Sequence, residues 1–263
     1  LKTPLTLILS PLQRLIQQPQ ISNNDKEKLE VIYRNANRMN YLINELLTFS
    51  KIEMKQMRIS VRKGDIMHFL EELSHIFDIV AGEREIDFIV NLEDTEEEVW
   101  FSPSKLERIL YNLLSNAFKY TQPGGYVKLS AKLIKEEKGT FVQISVKDNG
   151  RGIPKEAQEQ IFESYYQVEK RDHREGFGLG LSLTRSLIHM HKGEIRVESE
   201  VNEGSDFIVT LNVSEDAYGP DERSSENITT EEIQKYNQRI KETIELIPEK
   251  LTNKKKILPG NLL

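Results

Sequence analysis

The chain has 263 residues, of which 38% are hydrophobic and 30% are charged, and its net charge is −6 at neutral pH. This composition is typical of a soluble globular protein with one large or two modest domains. The acidic balance argues against a broad nucleic-acid-binding face, so no direct nucleic-acid partner is expected. The sequence contains no cysteine, which excludes disulfides and cysteine metal sites.

Residues 1–56 carry the apolar pattern of a helical hairpin. Apolar residues recur at steps of three and four, the spacing of a narrow helical seam. The polar residues 18–24 predict the turn, with Asn23 or Asn24 as the N-cap of the second helix, and Pro11 predicts a kink in the first helix. The seam positions are Leu1, Leu5, Ile8, Leu12, Leu15, Leu29, Ile32, Ala36, Met39, Ile43 and Leu46.

A single hairpin cannot cover the apolar face that this seam forms. Further apolar residues, such as Leu42 and Phe49, widen the face. Two hairpins packed as a four-helix bundle would cover it, so we expect a homodimer. The alternative is that the hairpin packs on the second domain of its own chain.

Residues 57–213 alternate strand and helix patterns and predict an α/β domain. Helices are expected over 66–80 with Asp65 as N-cap, from Ser102 and Pro103 onward, and after Gly180. Strands are expected at 58–61, 86–90, 99–101, 125–131, 141–146, 193–199 and 206–211.

The second predicted helix of this domain carries polar residues on one face. Asn112 and Asn116 are four residues apart, with Lys119 close by, so their side chains are expected to project together. Amide oxygens suit a hard cation, and amide N–H groups suit phosphate oxygens. The alternative is an ordinary solvated helix face.

Two glycine clusters bracket a polar segment between Asp148 and Gly180. Glycine lets backbone N–H groups approach a ligand closely, and a following helix start adds an anion site suited to phosphate. Asp148, at the end of a predicted strand, could accept a hydrogen bond from an adenine amino group. The alternatives are simple turns and an aspartate that closes its own loop.

These motifs stand in one order, and their order resembles a known family. The set resembles the N, G1, F and G2 boxes of bacterial sensor histidine kinases, and residues 1–5 resemble the end of their phosphoacceptor box. Gly204 and Ser205 resemble a degenerate G3 box, so the resemblance covers roughly residues 1–213. The motif residues are Asn112, Asn116, Lys119 and Tyr120, then Asp148, Gly150 and Gly152, then Phe162, then Gly176, Gly178 and Gly180.

The resemblance implies an α+β fold in which a helical hairpin forms a dimeric four-helix bundle. An α/β sandwich ATP-binding domain of the GHKL type follows the hairpin. The implied cofactors are ATP and Mg²⁺, with Asn116 as metal ligand and Asn112 and Lys119 at the phosphates. Tyr120 would lie near the nucleotide, and Asp148 would bind the adenine amino group. Gly150 and Gly152 would shape the adenine side, and Gly176, Gly178, Leu179 and Gly180 would close over the phosphates.

In such a kinase the phosphoacceptor histidine would lie immediately before Leu1, so these residues alone are not expected to autophosphorylate. By resemblance, Thr3 would help position a water that dephosphorylates the receiver domain. The five histidines, His68, His75, His173, His189 and His191, lack the phosphoacceptor context and are interpreted as structural or surface residues. Gln167 departs from the family, because many relatives have an arginine there. Arg171 or Arg174 could take its place.

Residues 214–263 form a less informative tail. The composition of residues 214–227 predicts a linker. Thr229 or Thr230 is expected to begin a helix that runs to about residue 247. Residues 254–258 resemble the lead into a receiver domain, as in hybrid sensor kinases.

The resulting hypothesis is a sensor histidine kinase of a two-component system. It would phosphorylate a histidine from ATP and pass the phosphoryl group to an aspartate of a response-regulator receiver domain, on a separate chain or on the same one. No apolar run approaches the ~20 residues that span a bilayer, so the expected location is the cytoplasmic portion of an inner-membrane protein anchored through upstream segments. The alternatives are another GHKL-type ATPase, or a nucleotide-silent pseudokinase scaffold, which Gln167 keeps open.

Overall fold

The computed structural model describes residues 2–18, 20–167 and 178–244. Two helices, α1 (Lys2–Ile16) and α2 (Asn23–Glu53), pack as a hairpin. The N-cap of α2 is Ser22, not Asn23 or Asn24 as predicted. The reason is local, because the extended backbone of Ser22 lets its hydroxyl accept the N–H of Asp25 at 3.1 Å.

The hairpin leaves much of its apolar surface uncovered within one chain. Helix α1 continues through Pro11, and the kink predicted there stays a prediction. The exposed large side chains include Ile8, Leu15, Ile32, Met39 and Leu46, all of which belong to the predicted seam. A surface of this kind favours a further contact with another apolar surface.

The remaining helices and strands confirm the expected α+β fold. A five-stranded sheet has the order β2-β4-β5-β7-β6, in which β2 and β4 are parallel and the other pairs are antiparallel. A separate two-stranded sheet pairs β1 with β3. The strands are β1 (Arg62–Asp65), β2 (Asp87–Leu92), β3 (Glu98–Phe101), β4 (Tyr126–Glu136), β5 (Gly139–Asp148), β6 (Glu194–Glu200) and β7 (Gly204–Asn212).

The strand predicted over residues 58–61 is wrong. The strand forms at Arg62–Asp65 instead, and Val61 makes a single parallel bridge with Arg223. The N–H of Val61 donates to the carbonyl oxygen of Glu222 at 2.8 Å, and its carbonyl oxygen accepts the N–H of Ser224 at 2.9 Å. Residues 222 and 224, far along the chain, therefore bind the backbone groups of Val61.

Three helices cover the sheet and form one hydrophobic core with it. They are α3 (Ile66–Arg84), α4 (Pro103–Tyr120) and α5 (Gly180–Met190). Asp65 caps α3 as predicted, because its carboxylate accepts the N–H of His68 at 3.0 Å. Each buried large side chain contributes about 1.5–3 kcal/mol of hydrophobic stabilisation. Fully buried examples on the two long helices are Phe69, Leu70, Leu73, Phe77, Leu106, Ile109, Leu110, Leu113, Leu114 and Phe118.

The segment predicted as a linker, residues 214–227, is instead packed on the domain. Tyr218 is buried, and its hydroxyl donates to the carbonyl oxygen of Asn212 at 2.5 Å. Helix α6 (Thr230–Ile244) follows and packs against α3 and α4, with Ile233, Tyr236 and Ile240 buried in the main core. The polar composition of residues 214–227 gave no sign of the buried Tyr218.

Candidate functional site

Helix α4 begins at the position expected from the sequence, but its N-cap side chain forms no capping hydrogen bond. Ser102 is the N-cap residue and Pro103 follows, yet the Ser102 side chain makes no capping hydrogen bond. The N–H of Ser102 donates instead to Nε2 of His191 at 3.2 Å. Burial lowers the pKa of His191 to about 4, so its imidazole is neutral, and Nδ1 donates to the carbonyl oxygen of Leu187 at 3.0 Å. His191 is therefore structural, as interpreted from the sequence.

Asn112 lies four residues before Asn116, and neighbouring helices cover it. Its side chain is only 3% exposed, whereas Asn116 is half-buried. Nδ2 of Asn112 donates to the carbonyl oxygen of Gly180 at 3.1 Å and to Oγ1 of Thr184 at 3.0 Å. Its Oδ1 accepts the hydroxyl of Tyr41 at 3.2 Å. The helix spacing placed Asn112 correctly along α4, but it could not show that α5 and α2 would cover it.

The last turn of α4 carries a cluster of cationic and aromatic groups. Nζ of Lys119 donates to the hydroxyl of Tyr120 at 3.0 Å, and the ring of Tyr120 has the Arg151 guanidinium 4.3 Å from its centroid. Arg151 was not singled out from the sequence, although it lies between the two glycines of the first cluster. The two cations make this end of α4 locally positive.

Asp148 ends β5 in a buried position next to this helix end. It is 5% exposed, and its Oδ1 accepts the N–H of Gly150 at 2.8 Å. Burial raises the pKa of Asp148 to about 6, although the backbone N–H groups of Gly150 and Ser205 act to lower it. A Cβ on Gly150 would lie 2.5 Å from the carbonyl oxygen of Tyr120, so the turn after Asp148 sits directly on the end of α4.

The second glycine cluster lies at the start of α5. Gly178 has φ +69°, and a Cβ there would lie 2.7 Å from the carbonyl oxygen of Tyr166, so both conformation and space require glycine. Leu179 is buried, and its carbonyl oxygen accepts the Ser182 hydroxyl at 2.9 Å. Gly180 is the first residue of α5. Gly176 lies outside the described residues, as do His173, Arg171 and Arg174.

Helix α4 joins the two glycine clusters. Its last residue, Tyr120, contacts the first cluster through Gly150, and Asn112 contacts the second through Gly180. Eight residues separate the two contacts, which is about 12 Å along a helix, and Asn116 lies midway. The asparagine motif therefore lies on this stretch of α4, and the two glycine clusters contact its two ends.

Other predicted residues have structural surroundings. Phe162 is buried and packs edge-on against Phe207, with 6.4 Å between ring centroids. Gly152 has φ +67° and approaches the carbonyl oxygen of Glu200. Thr3 lies within α1, and its side chain is outside what the structure describes.

Within residues 2–18, 20–167 and 178–244, no cluster of three or more His, Asp or Glu side chains could hold a metal ion. In the same ranges, no helix is long and apolar enough to cross a membrane. Two open cavities of about 330 and 440 Å³ are lined by none of the predicted site residues.

Comparisons with known proteins match both parts of the chain. Residues 101–215 match the family described as histidine kinase-, DNA gyrase B-, and HSP90-like ATPase, and residues 1–55 match the His Kinase A (phospho-acceptor) domain. Histidine kinase P4 of Formosa agariphila is 36% identical over 215 residues, which are 80% of this chain and 15% of that protein. Sensor histidine kinase WalK of Bacillus subtilis is 32% identical over 219 residues, which are 82% of this chain and 35% of that protein.

A solved structure, full-length ShkA in complex with AMPPNP, matches with a TM-score of 0.69 at 25% identity. The match covers 81% of this chain and 44% of that one, so the chain spans less than half the length of these relatives. The match over residues 101–215 assigns this domain to the ATPase class of the gyrases, HSP90 and histidine kinases. Because a match to the His Kinase A (phospho-acceptor) domain precedes it, the chain contains both parts of a histidine kinase core.

Proposed function

We propose that this chain is the catalytic core of a sensor histidine kinase, which binds ATP along α4 and donates its γ-phosphoryl group to a histidine. The observation that carries the proposal is that both glycine clusters contact α4, through Tyr120 and through Asn112, on either side of Asn116. A nucleotide likewise has two distinct ends, the base and the phosphates, and each glycine cluster would contact one of them. The alternatives of an ordinary turn and a solvated helix face leave this convergence unexplained.

The proposed roles follow the chemistry of each group. Asp148, when ionised, accepts the adenine amino group, and the turn over Gly150 and Gly152 shapes the adenine side. The amide oxygen of Asn116 is a suitable Mg²⁺ ligand. Lys119 would neutralise phosphate charge, with Tyr120 beside the nucleotide. Gly176, Gly178, Leu179 and Gly180 would present backbone N–H groups to the phosphates at the start of α5.

The chain's contribution to the reaction is positioning and charge neutralisation. Bound Mg²⁺ would supply further neutralisation of the phosphate oxygens. Asn116 would orient that end of the nucleotide, and the buried carboxylate of Asp148 would hold the base end. The histidine would act as the nucleophile.

The proposed partners are a second copy of the chain and a receiver domain. The exposed apolar seam of α1 and α2, including Ile32 and Met39, supports a dimeric four-helix bundle. We place the phosphoacceptor histidine just upstream of Leu1, because residues 1–5 correspond to those that follow it in the family. Thr3 would then act in dephosphorylating the receiver, and the core would lie on the cytoplasmic side of an inner membrane.

The test compares two forms of the protein incubated with γ-labelled ATP and Mg²⁺. The chain extended upstream through the proposed histidine should gain an acid-labile label, and the 263 residues alone should not. Changing Asn116→Asp or Asp148→Asn in the extended chain should abolish the label. Steady hydrolysis without a labelled protein would instead favour another GHKL-type ATPase, and absence of nucleotide binding would favour a pseudokinase.

A further inference from the structure

Helix α2 of the hairpin contacts the catalytic domain at several points between residues 41 and 49. The ring of Tyr41 meets that of Tyr111 edge-on, with 6.0 Å between centroids. One guanidinium nitrogen of Arg108 donates to Oγ1 of Thr48 at 2.9 Å. The ring of Phe49 lies 6.2 Å from that of Tyr165. These contacts bring the hairpin against α4 and against the segment that precedes the second glycine cluster.

One of these contacts reaches a proposed nucleotide-site residue. The hydroxyl of Tyr41 lies 3.2 Å from Oδ1 of Asn112, whose Nδ2 is already engaged by Gly180 and Thr184. Both amide N–H groups and the amide oxygen of Asn112 are thus used within the protein. To donate to a phosphate oxygen, the amide would have to turn, and turning would also break the bond to Tyr41.

Glu45 shares the hydroxyl of Tyr41 with Asn112. Oε1 of Glu45 lies 2.9 Å from the Tyr41 hydroxyl, and Glu45 is only 5% exposed. The hydroxyl has one hydrogen and cannot fully satisfy both acceptors. A protonated Glu45 resolves this, because it donates to Tyr41 while Tyr41 donates to Asn112. Burial raises the pKa of Glu45 and so favours that form, although the Tyr41 hydrogen bond and Arg108 act to lower it.

We infer that Tyr41 is a positioning residue that, while the hairpin is docked, holds the Asn112 amide in an orientation in which its N–H groups are bonded to α5 and not available to the phosphates. Docking of α2 and loading of the nucleotide are then negatively coupled, and by linkage each weakens the other. This inference rests on the proposed function, since it assigns Asn112 to the phosphates.

The first test measures Mg²⁺-ATP affinity by calorimetry for the wild-type chain and two variants. Tyr41→Phe removes the hydroxyl that holds Asn112 and should tighten binding about fivefold, the equivalent of one ordinary hydrogen bond. Tyr33→Phe removes the same group from α2 eight residues earlier, about 12 Å away along the helix, and should leave the affinity unchanged. Unchanged or weaker binding by Tyr41→Phe would overturn the inference.

The second test needs no variant. Hydrogen exchange of the backbone amides of residues 41–49 is measured with and without saturating Mg²⁺-ATP. Nucleotide should speed exchange there, because loading releases the docked helix; slower or unchanged exchange would overturn the inference. Failure of the wild-type chain to bind nucleotide at all would instead overturn the proposed function, so the two failures are distinguishable.

Discussion

Nδ2 of Asn112 lies 3.1 Å from the carbonyl oxygen of Gly180, which ties the middle of α4 to the first residue of α5. The same nitrogen lies 3.0 Å from Oγ1 of Thr184, one turn further along α5. A single amide therefore sets the distance between the asparagine-bearing helix and the glycine cluster. The link places the Asn112 amide beside Gly180, at the proposed phosphate end of the site.

Replacing Asn112 by alanine should destabilise the domain. The change removes the amide from a buried position and leaves acceptors without their donor, at a cost of about 1–3 kcal/mol in the free energy of unfolding. Asn116→Ala is the matched control, because Asn116 is half-buried, and it should cost less than about 0.5 kcal/mol. Urea denaturation measures both. Equal losses for the two variants would contradict the structural role of Asn112.

The charge of Asp148 should make stability depend on pH. Burial raises its pKa from 3.8 to about 6 in the folded protein, so the folded state holds the proton more tightly than the unfolded chain. Stability from this group is therefore lost as pH rises from about 4 to 6. Asp148→Asn should be more stable than wild type at pH 7.5, by at most about 3 kcal/mol, and the gain should vanish below about pH 4.

Denaturant titrations at pH 7.5 and pH 4 check this prediction for Asp148. The control Asp87→Asn lies at an exposed position of β2 and should change stability by less than about 0.5 kcal/mol at both pH values. If Asp148→Asn were less stable than wild type at pH 7.5, the ionised carboxylate of Asp148 would not be lowering the free energy of unfolding. Nucleotide affinity should nevertheless fall, since an amide is a weaker acceptor for the adenine amino group.

Two glycine-to-alanine changes should have opposite effects. Gly178→Ala forces a side chain onto a positive φ and against the carbonyl oxygen of Tyr166, and should cost about 1–2 kcal/mol while weakening nucleotide binding. Gly82→Ala lies within α3 with no other atom within 4 Å of the added Cβ, and should stabilise by about 0.5–1 kcal/mol. Thermal unfolding distinguishes them. A stabilising Gly178→Ala would remove the argument that this turn needs glycine.

Helix α6 should behave as part of the catalytic domain. Ile233→Ala empties a buried position between α6 and the main core and should cost about 2–5 kcal/mol. Gln234→Ala changes the neighbouring exposed residue and should be neutral within about 0.5 kcal/mol. Denaturation with urea provides the comparison. If both variants were neutral, residues 230–244 would not be packed on the domain.

The exposed seam of the hairpin should mediate dimer formation. Met39 is 56% exposed in the single chain, and Met39→Asp would place a charge in the buried centre of the proposed four-helix bundle. Light scattering coupled to gel filtration should show a dimer for wild type and a monomer for this variant. Arg34→Glu, at an exposed polar position of the same helix, should remain dimeric. A monomeric wild-type chain would contradict the proposed homodimer.

The sequence predicted the order of helices and strands well, because apolar periodicity reflects which face of each element is buried. It also predicted that Asp148 lies at the end of a strand beside a glycine turn, since glycine has a strong preference for such backbone conformations. It could not show that Asn112 is covered by Thr184 and Tyr41, because these contacts join residues 71 and 72 positions apart in the chain.

Contacts between residues far apart in the chain were also missed in the C-terminal segment. Tyr218 and Ile233 are buried by partners far away in the sequence, and their polar neighbours masked that role. The predicted N-cap of α2 was wrong for a local reason. Ser22, Asn23 and Asn24 are all good N-cap residues, and only the backbone conformation selects among them.

The most direct measurement of the central claim is a crystal structure of this chain with Mg²⁺ and a non-hydrolysable ATP analogue. The account predicts the adenine amino group within hydrogen-bond distance of Asp148, Mg²⁺ at Asn116, and the phosphates beside Gly178 and Gly180. A nucleotide bound away from α4, or one lying with its base at Gly180 and its phosphates at Asp148, would contradict it.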